Sequence, residues 1–145
     1  MNHELPIYLS TLAFVKDVAM RVRNLPVDVR RVWGDDIHRT ALTMLKCIVR
    51  ANKTRIPGKR IQYMEQFDEE CDIMQMLLRI TNTFNDGMPD KHKAILDMQI
   101  DDIRAQMGRW RNSTVKDKYT ASECRVGGSA APGELSYFEK GSQLP

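Results

Sequence analysis

Apolar residues along this chain recur at steps of three and four, and the recurrence breaks at three places where proline or glycine enters. From Pro6 to Asn24 the residues Leu9, Leu12, Val15, Val18 and Val22 keep that spacing, which places them on one face of a helix. Pro6 suits a first turn, where a missing N–H costs nothing, and Leu25-Pro26 predicts the end, because a residue before proline avoids the helical region. A second helix is predicted after Trp33-Gly34-Asp35-Asp36, with Asp35 or Asp36 capping it and Ile37, Ala41, Leu45, Ile48 and Val49 facing inward. Pro57-Gly58 then signals a turn. The third predicted helix runs from about Arg60 to Asn85, and its residues Met64, Phe67, Cys71, Met74, Leu78 and Thr81 hold heptad spacing. Asp86-Gly87-Met88-Pro89-Asp90 interrupts again, offering Gly87 for a left-handed helix cap and Asp90 for the next N-cap. Leu96, Ile100, Ile103, Met107 and Trp110 mark a fourth helix, expected to fade after Arg111-Asn112-Ser113.

No stretch alternates with period two, and the connections are short, so the expected fold is all-α: an antiparallel up-down-up-down four-helix bundle with a flexible C-terminal tail. The bundle is assigned to residues 1–118 and the tail to residues 119–145, where Gly127-Gly128-Ser129-Ala130-Ala131-Pro132-Gly133 reads as linker. A length of 145 residues suits one domain, and 42% hydrophobic with 28% charged residues is ordinary for a globular chain. The N-terminus lacks the basic start and apolar core of a signal peptide, and no run approaches the roughly 18 apolar residues of a membrane helix. The expectation is a cytoplasmic protein without membrane contact.

Little here points to catalysis. Cys47, Cys71 and Cys124 are far apart and form no C-x-x-C pair, which argues against a disulfide framework or a zinc site. The histidines His3, His38 and His92 are isolated, no E-x-x-H occurs, and the phosphate-cradling and zinc-hydrolase motifs are absent. The run Glu69-Glu70-Cys71-Asp72 is no paired-carboxylate site, because consecutive helical positions diverge by about 100°. Met44, Met64, Met74, Met98 and Met107 lie on or beside inward stripes and are expected to fill the core. No metal or cofactor is expected, and an unrecognised enzyme is the least favoured class.

Charge changes the picture. Residues 1–60 hold twelve basic and five acidic side chains, residues 61–102 three and ten, and residues 103–118 five and one, so a net charge of +3 conceals strong polarity. Arg39, Lys46, Arg50 and Lys53 are spaced to form one row along the outer side of the second helix, and the following loop adds Arg55, Lys59 and Arg60. Such a row can track a phosphate backbone, since each neutralised phosphate releases condensed counterions; an ordinary solvated face is the competing reading. The end of the fourth helix adds Arg104, Arg109, Arg111, Lys116 and Lys118. A second use for the same charge is subunit pairing, in which Glu65, Asp68, Glu69 and Asp72 of one copy meet the basic row of the next and close a ring. Arg79 stands out as the one base in the body of the acidic third helix, either for binding or for a salt bridge to a neighbouring helix.

Six short segments in fixed order carry a family resemblance: Leu5-Pro6-Ile7-Tyr8, Leu25-Pro26, Gly34, Arg50-Ala51-Asn52, Leu77-Leu78-Arg79-Ile80 and Gly108-Arg109-Trp110. Over Leu5 to Ser113 the chain resembles a bacterial four-helix-bundle family that includes the accessory variability proteins of diversity-generating retroelements and proteins encoded in intervening sequences of large-subunit ribosomal RNA genes. The resemblance implies a homopentameric barrel with a positive surface and, in the retroelement branch, binding to a reverse transcriptase and its template RNA during cDNA synthesis; it implies no catalytic residues. The chain departs from the family pattern in Trp33-Gly34 before the second helix, in the acidity of the third helix and in the tail after Ser113. The expected function is therefore a non-catalytic, ring-forming accessory protein, with Arg39, Lys46, Arg50, Lys53, Arg55, Arg79, Arg104, Arg109 and Arg111 contacting RNA or the polymerase. The alternative is a structural oligomer or protein-interaction module without a nucleic-acid role.

Overall fold

Four helices follow one another with short connections: α1 (Pro6–Arg23), α2 (Val27–Lys53), α3 (Pro57–Asn82) and α4 (Asp90–Ser129). A computed structural model describes residues 5–129, with side chains as far as Lys118. Each helix packs beside two others, in the cyclic order α1–α2–α3–α4, and the backbones of the diagonal pairs stay more than 8 Å apart, Cα to Cα, among the described residues. That is the expected antiparallel bundle.

The core follows the periodicity closely in the second half of the chain. All six heptad residues predicted for α3 are buried, as are Leu96, Ile100, Ile103 and Met107 of α4, while Trp110 packs partly buried against them. Full burial of side chains such as Phe14, Phe67 and Leu78 contributes about 1.5–3 kcal/mol each. In α1 the predicted stripe holds at Val18 and Val22 but is displaced in the first half of the helix. Ile7, Thr11, Phe14, Val18 and Val22 face inward, whereas Leu9 is 48% exposed and Leu12 and Val15 are half-buried. Both sets fit a helical repeat, and the winning one puts Phe14, the larger apolar body, at the centre. Among the methionines Met44, Met64, Met74 and Met107 fill the core as expected, but Met98 is 70% exposed on the outer side of α4.

α2 begins eight residues before the predicted cap. Pro26 is its N-cap, Val29 is buried in the new first turns, and the helix passes straight through Gly34, Asp35 and Asp36. The glycine sits where α2 crosses α1, with the Val22 side chain 3.5 Å from where a Cβ would stand. Asp36 instead accepts a hydrogen bond from Arg39 Nη1 at 2.8 Å. Of the predicted inward set, Ile37, Ala41 and Ile48 are buried, while Leu45 and Val49 are half-buried at its edge.

The α3–α4 turn also differs. α3 ends at Asn82, and Gly87 does not adopt the left-handed conformation predicted for it. It is glycine because of a close approach: an added Cβ would stand 1.9 Å from the Thr81 carbonyl oxygen. The turn is held by Met88 N–H donating to that same carbonyl at 3.0 Å, and by Asn82 Nδ2 donating to Met88 O at 2.8 Å and Asp90 Oδ1 at 2.7 Å. α4 continues well past Ser113, to Ser129, because nothing from Arg109 to Val126 is proline or glycine. The first eleven residues of the stretch assigned to the tail are thus helical, and residues 130–145 lie outside those described.

Candidate nucleic-acid interface

Between Ile37 and Met64 the chain carries seven Lys or Arg residues and no carboxylate. This acid-free stretch covers the C-terminal two-thirds of α2, the connecting loop and the start of α3. Its basic side chains stay outside because the opposite face of α2 is filled by Ile37, Ala41, Met44, Ile48 and Ala51. Lys46, Arg50 and Lys53 are exposed on one face, and none of their side chains makes a hydrogen bond or ion pair among the described residues; the side chains of Arg55 and Lys59 in and after the loop are likewise exposed and unpaired. At 1.5 Å per residue, Arg39 to Lys53 spans about 21 Å along a straight helix. Arg39, at the far end of this row, is bridged to Asp36. Arg50 and Lys53 also occupy the last turn of α2, where positive charge favours the negative end of the helix dipole.

The seventh base of the segment has a structural task. Arg60 donates from Nε to Ala51 O and from Nη2 to Thr54 O, both at 2.9 Å, and its guanidinium lies 5.9 Å from the centroid of the Trp110 ring. It closes the α2–α3 turn and ties it to α4. The same end of the bundle therefore receives the C-terminal half of α4, and residues 46–60 and 104–118 together bring eleven bases and one acid to this pole.

The remaining predicted site residues separate into three groups. Arg104 and Arg111 are engaged inside the chain. Arg104 donates from Nε to Asp68 Oδ1 at 3.2 Å and from Nη1 to Asp72 Oδ1 at 2.8 Å and Gln75 Oε1 at 3.2 Å, while Arg111 Nη2 reaches Glu65 Oε2 at 2.9 Å. Burial pulls the Arg104 pKa down, but the Asp72 hydrogen bond and the charge of Asp68 outweigh it and hold the group above its ordinary value. Arg109 is exposed on α4, which stands diagonally across from α2, so it does not continue the α2 row. Arg79 sits near the C-terminus of α3, at the opposite pole, with no ion pair among the described residues. It lines an open cleft of about 480 Å³ between α3 and α4 with Asp72, Gln75, Lys93, Asp97 and Asp101.

These contacts also bear on the expected subunit pairing. Glu65, Asp68 and Asp72, three of the four carboxylates assigned to a neighbouring copy, meet arginines of their own chain. Glu69 stays exposed. Beside it, burial and then the Glu69 charge raise the pKa of Glu70.

Cys47 and Cys71 are both fully buried, and burial above all raises their thiol pKa values to about 11 and about 12. Among the described residues no group of three or more His, Cys, Asp or Glu side chains is placed to hold a metal ion, and no helix is long and apolar enough to cross a membrane. The chain matches no protein-family model and no curated protein sequence.

Proposed function

We propose that this chain is a non-catalytic accessory protein that binds RNA through the outer face of α2. The observation that carries the reading is the unpaired, acid-free row Lys46, Arg50 and Lys53, continued by Arg55 and Lys59 around the loop. Long cations without partners on a rigid helix supply favourable contact to phosphates with little reorganisation. Arg104 and Arg111 hold α3 to α4 in this reading and are not primary contacts. Together with the family resemblance, the row supports a role beside a reverse transcriptase in a diversity-generating retroelement, where the protein assists template-dependent cDNA synthesis. The resemblance implies a pentameric ring. Since most of the named carboxylates are engaged within the chain, subunit contact falls to exposed apolar residues away from the row, among them Leu9 and Met20 of α1 and Val32 of α2.

Those exposed side chains also favour the second reading, a structural oligomer with no nucleic acid. Light scattering coupled to size exclusion, run with labelled RNA, separates the two: the RNA-binding protein carries label in its oligomer peak, the structural oligomer does not. Reversal of Lys46, Arg50 and Lys53 to Glu is expected to abolish retention while leaving the oligomer mass unchanged. Retention by the triple variant at wild-type level would remove the α2 row from the proposal.

A further inference from the structure

We infer that the α2 face takes the sugar-phosphate backbone of double-helical RNA, not the bases of an unpaired strand. The inference rests on the RNA-binding reading and adds the form of the RNA. Proteins that hold single strands combine a basic groove with aromatic side chains on which unstacked bases lie. Neither feature adjoins the row. Its members project from the outer side of one helix, and the cleft between α3 and α4 lies on another face and is lined by both signs of charge. Of the Phe, Tyr and Trp side chains described, Phe84 alone is exposed, and it sits in the α3–α4 turn at the other pole. At the basic pole Tyr8, Tyr63 and Trp110 are half-buried against the core, and Trp110 is already faced by the Arg60 guanidinium.

What the row does offer is regular spacing on a stiff support. Lys46, Arg50 and Lys53 stand four and three residues apart, about 6 and 4.5 Å along the axis, and the exposed neighbour within the row is the aliphatic Leu42. A straight line of mobile cations complements a rigid duplex with phosphates at fixed intervals, and double-stranded RNA is recognised mainly through shape and backbone. Lys46, Arg50, Lys53, Arg55 and Lys59 make five cations, so five phosphates neutralised on a duplex give a slope of log affinity against log salt of about −4 to −5.

The test titrates the full chain with a labelled RNA hairpin of twenty base pairs, a second hairpin of scrambled stem sequence, and a uridine 20-mer, each at several salt concentrations. Both hairpins are expected to bind alike and at least about tenfold tighter than the uridine strand. Lys46→Ala, Arg50→Ala and Lys53→Ala should each flatten the hairpin slope by about one. All three sites are exposed, and circular dichroism checks that the variants remain helical. If the uridine strand binds as tightly as the hairpins, the duplex inference falls and the RNA reading stands; if one hairpin is strongly preferred, bases are being read and the inference also falls. If no RNA is bound, both fall together.

Discussion

Two glycines in this molecule do opposite things, and the difference is measurable. Gly87 has the Thr81 carbonyl oxygen 1.9 Å from the site of a Cβ, so Gly87→Ala forces backbone apart and is expected to destabilise by about 2 kcal/mol in urea denaturation. Gly34 lies inside α2 with its nearest neighbours at 3.4 and 3.5 Å, an ordinary contact, so Gly34→Ala should stabilise by about 0.5–1 kcal/mol through its lower conformational entropy in the unfolded chain. The sequence made both look like punctuation, because glycine signals a break without saying whether the reason is conformation or proximity. Thr11 was missed for a related reason: a polar residue counts against a core stripe, yet it is fully buried beside Phe14. The buried thiols give a further prediction. With pKa values of about 11 and 12, Cys47 and Cys71 hold almost no thiolate at pH 8, so iodoacetamide should label neither until the chain is unfolded, as peptide mapping would show.

At the scale of elements, the long contact of α3 with α4 was half legible. Heptad spacing identified the apolar seam correctly in both helices, since six positions in α3 and five in α4 at steps of three and four leave little freedom in which face turns inward. The polar half of the seam was not legible, because charge counted helix by helix does not say which helices are neighbours. Arg104 and Arg111 therefore looked available, and prove to be bonded to Asp68, Asp72 and Glu65. Arg104→Ala is expected to lower stability by only about 1 kcal/mol, because Asp68 and Asp72 remain 46% and 69% exposed and water takes over much of their solvation. A second effect in α3 runs the other way. Glu70 holds its proton more tightly in the folded chain than in the unfolded one, so its contribution to stability is present at low pH and is lost as pH rises from the ordinary carboxyl range through its raised value. Glu70→Gln should accordingly raise the melting temperature at pH 7 and leave it unchanged near pH 3.5.

Across the whole molecule, antiparallel packing turns a charge pattern along the sequence into one along the bundle axis. Segments 46–60 and 104–118 are remote in sequence and meet at one end because α2 and α4 both finish there. The acid of α3 is largely absorbed where it faces α4, and what remains for a partner is the α2 side. Attraction to RNA should therefore depend on salt far more than self-association does: raising salt from 50 to 500 mM is expected to release bound RNA while the oligomer mass holds, as light scattering would report. An oligomer that falls apart over the same range would assign its contacts to charge and revive head-to-tail pairing.

The bridges from Arg104 and Arg111 have one more consequence. A seam of apolar residues repeating every seven positions fits itself again after a slide of seven, so Leu96, Ile103 and Trp110, or Ile100, Met107 and Thr114, cannot by themselves distinguish neighbouring alignments of α4 on α3. Charge breaks that degeneracy in one direction. Slipping α4 so that Asp97 takes the place of Arg104 would set a carboxylate against Asp68 and Asp72 and abandon three hydrogen bonds, whereas the native alignment meets them with a guanidinium. These surface-level contacts, modest as contributions to stability, act as the index mark that tells α4 where to stop along α3.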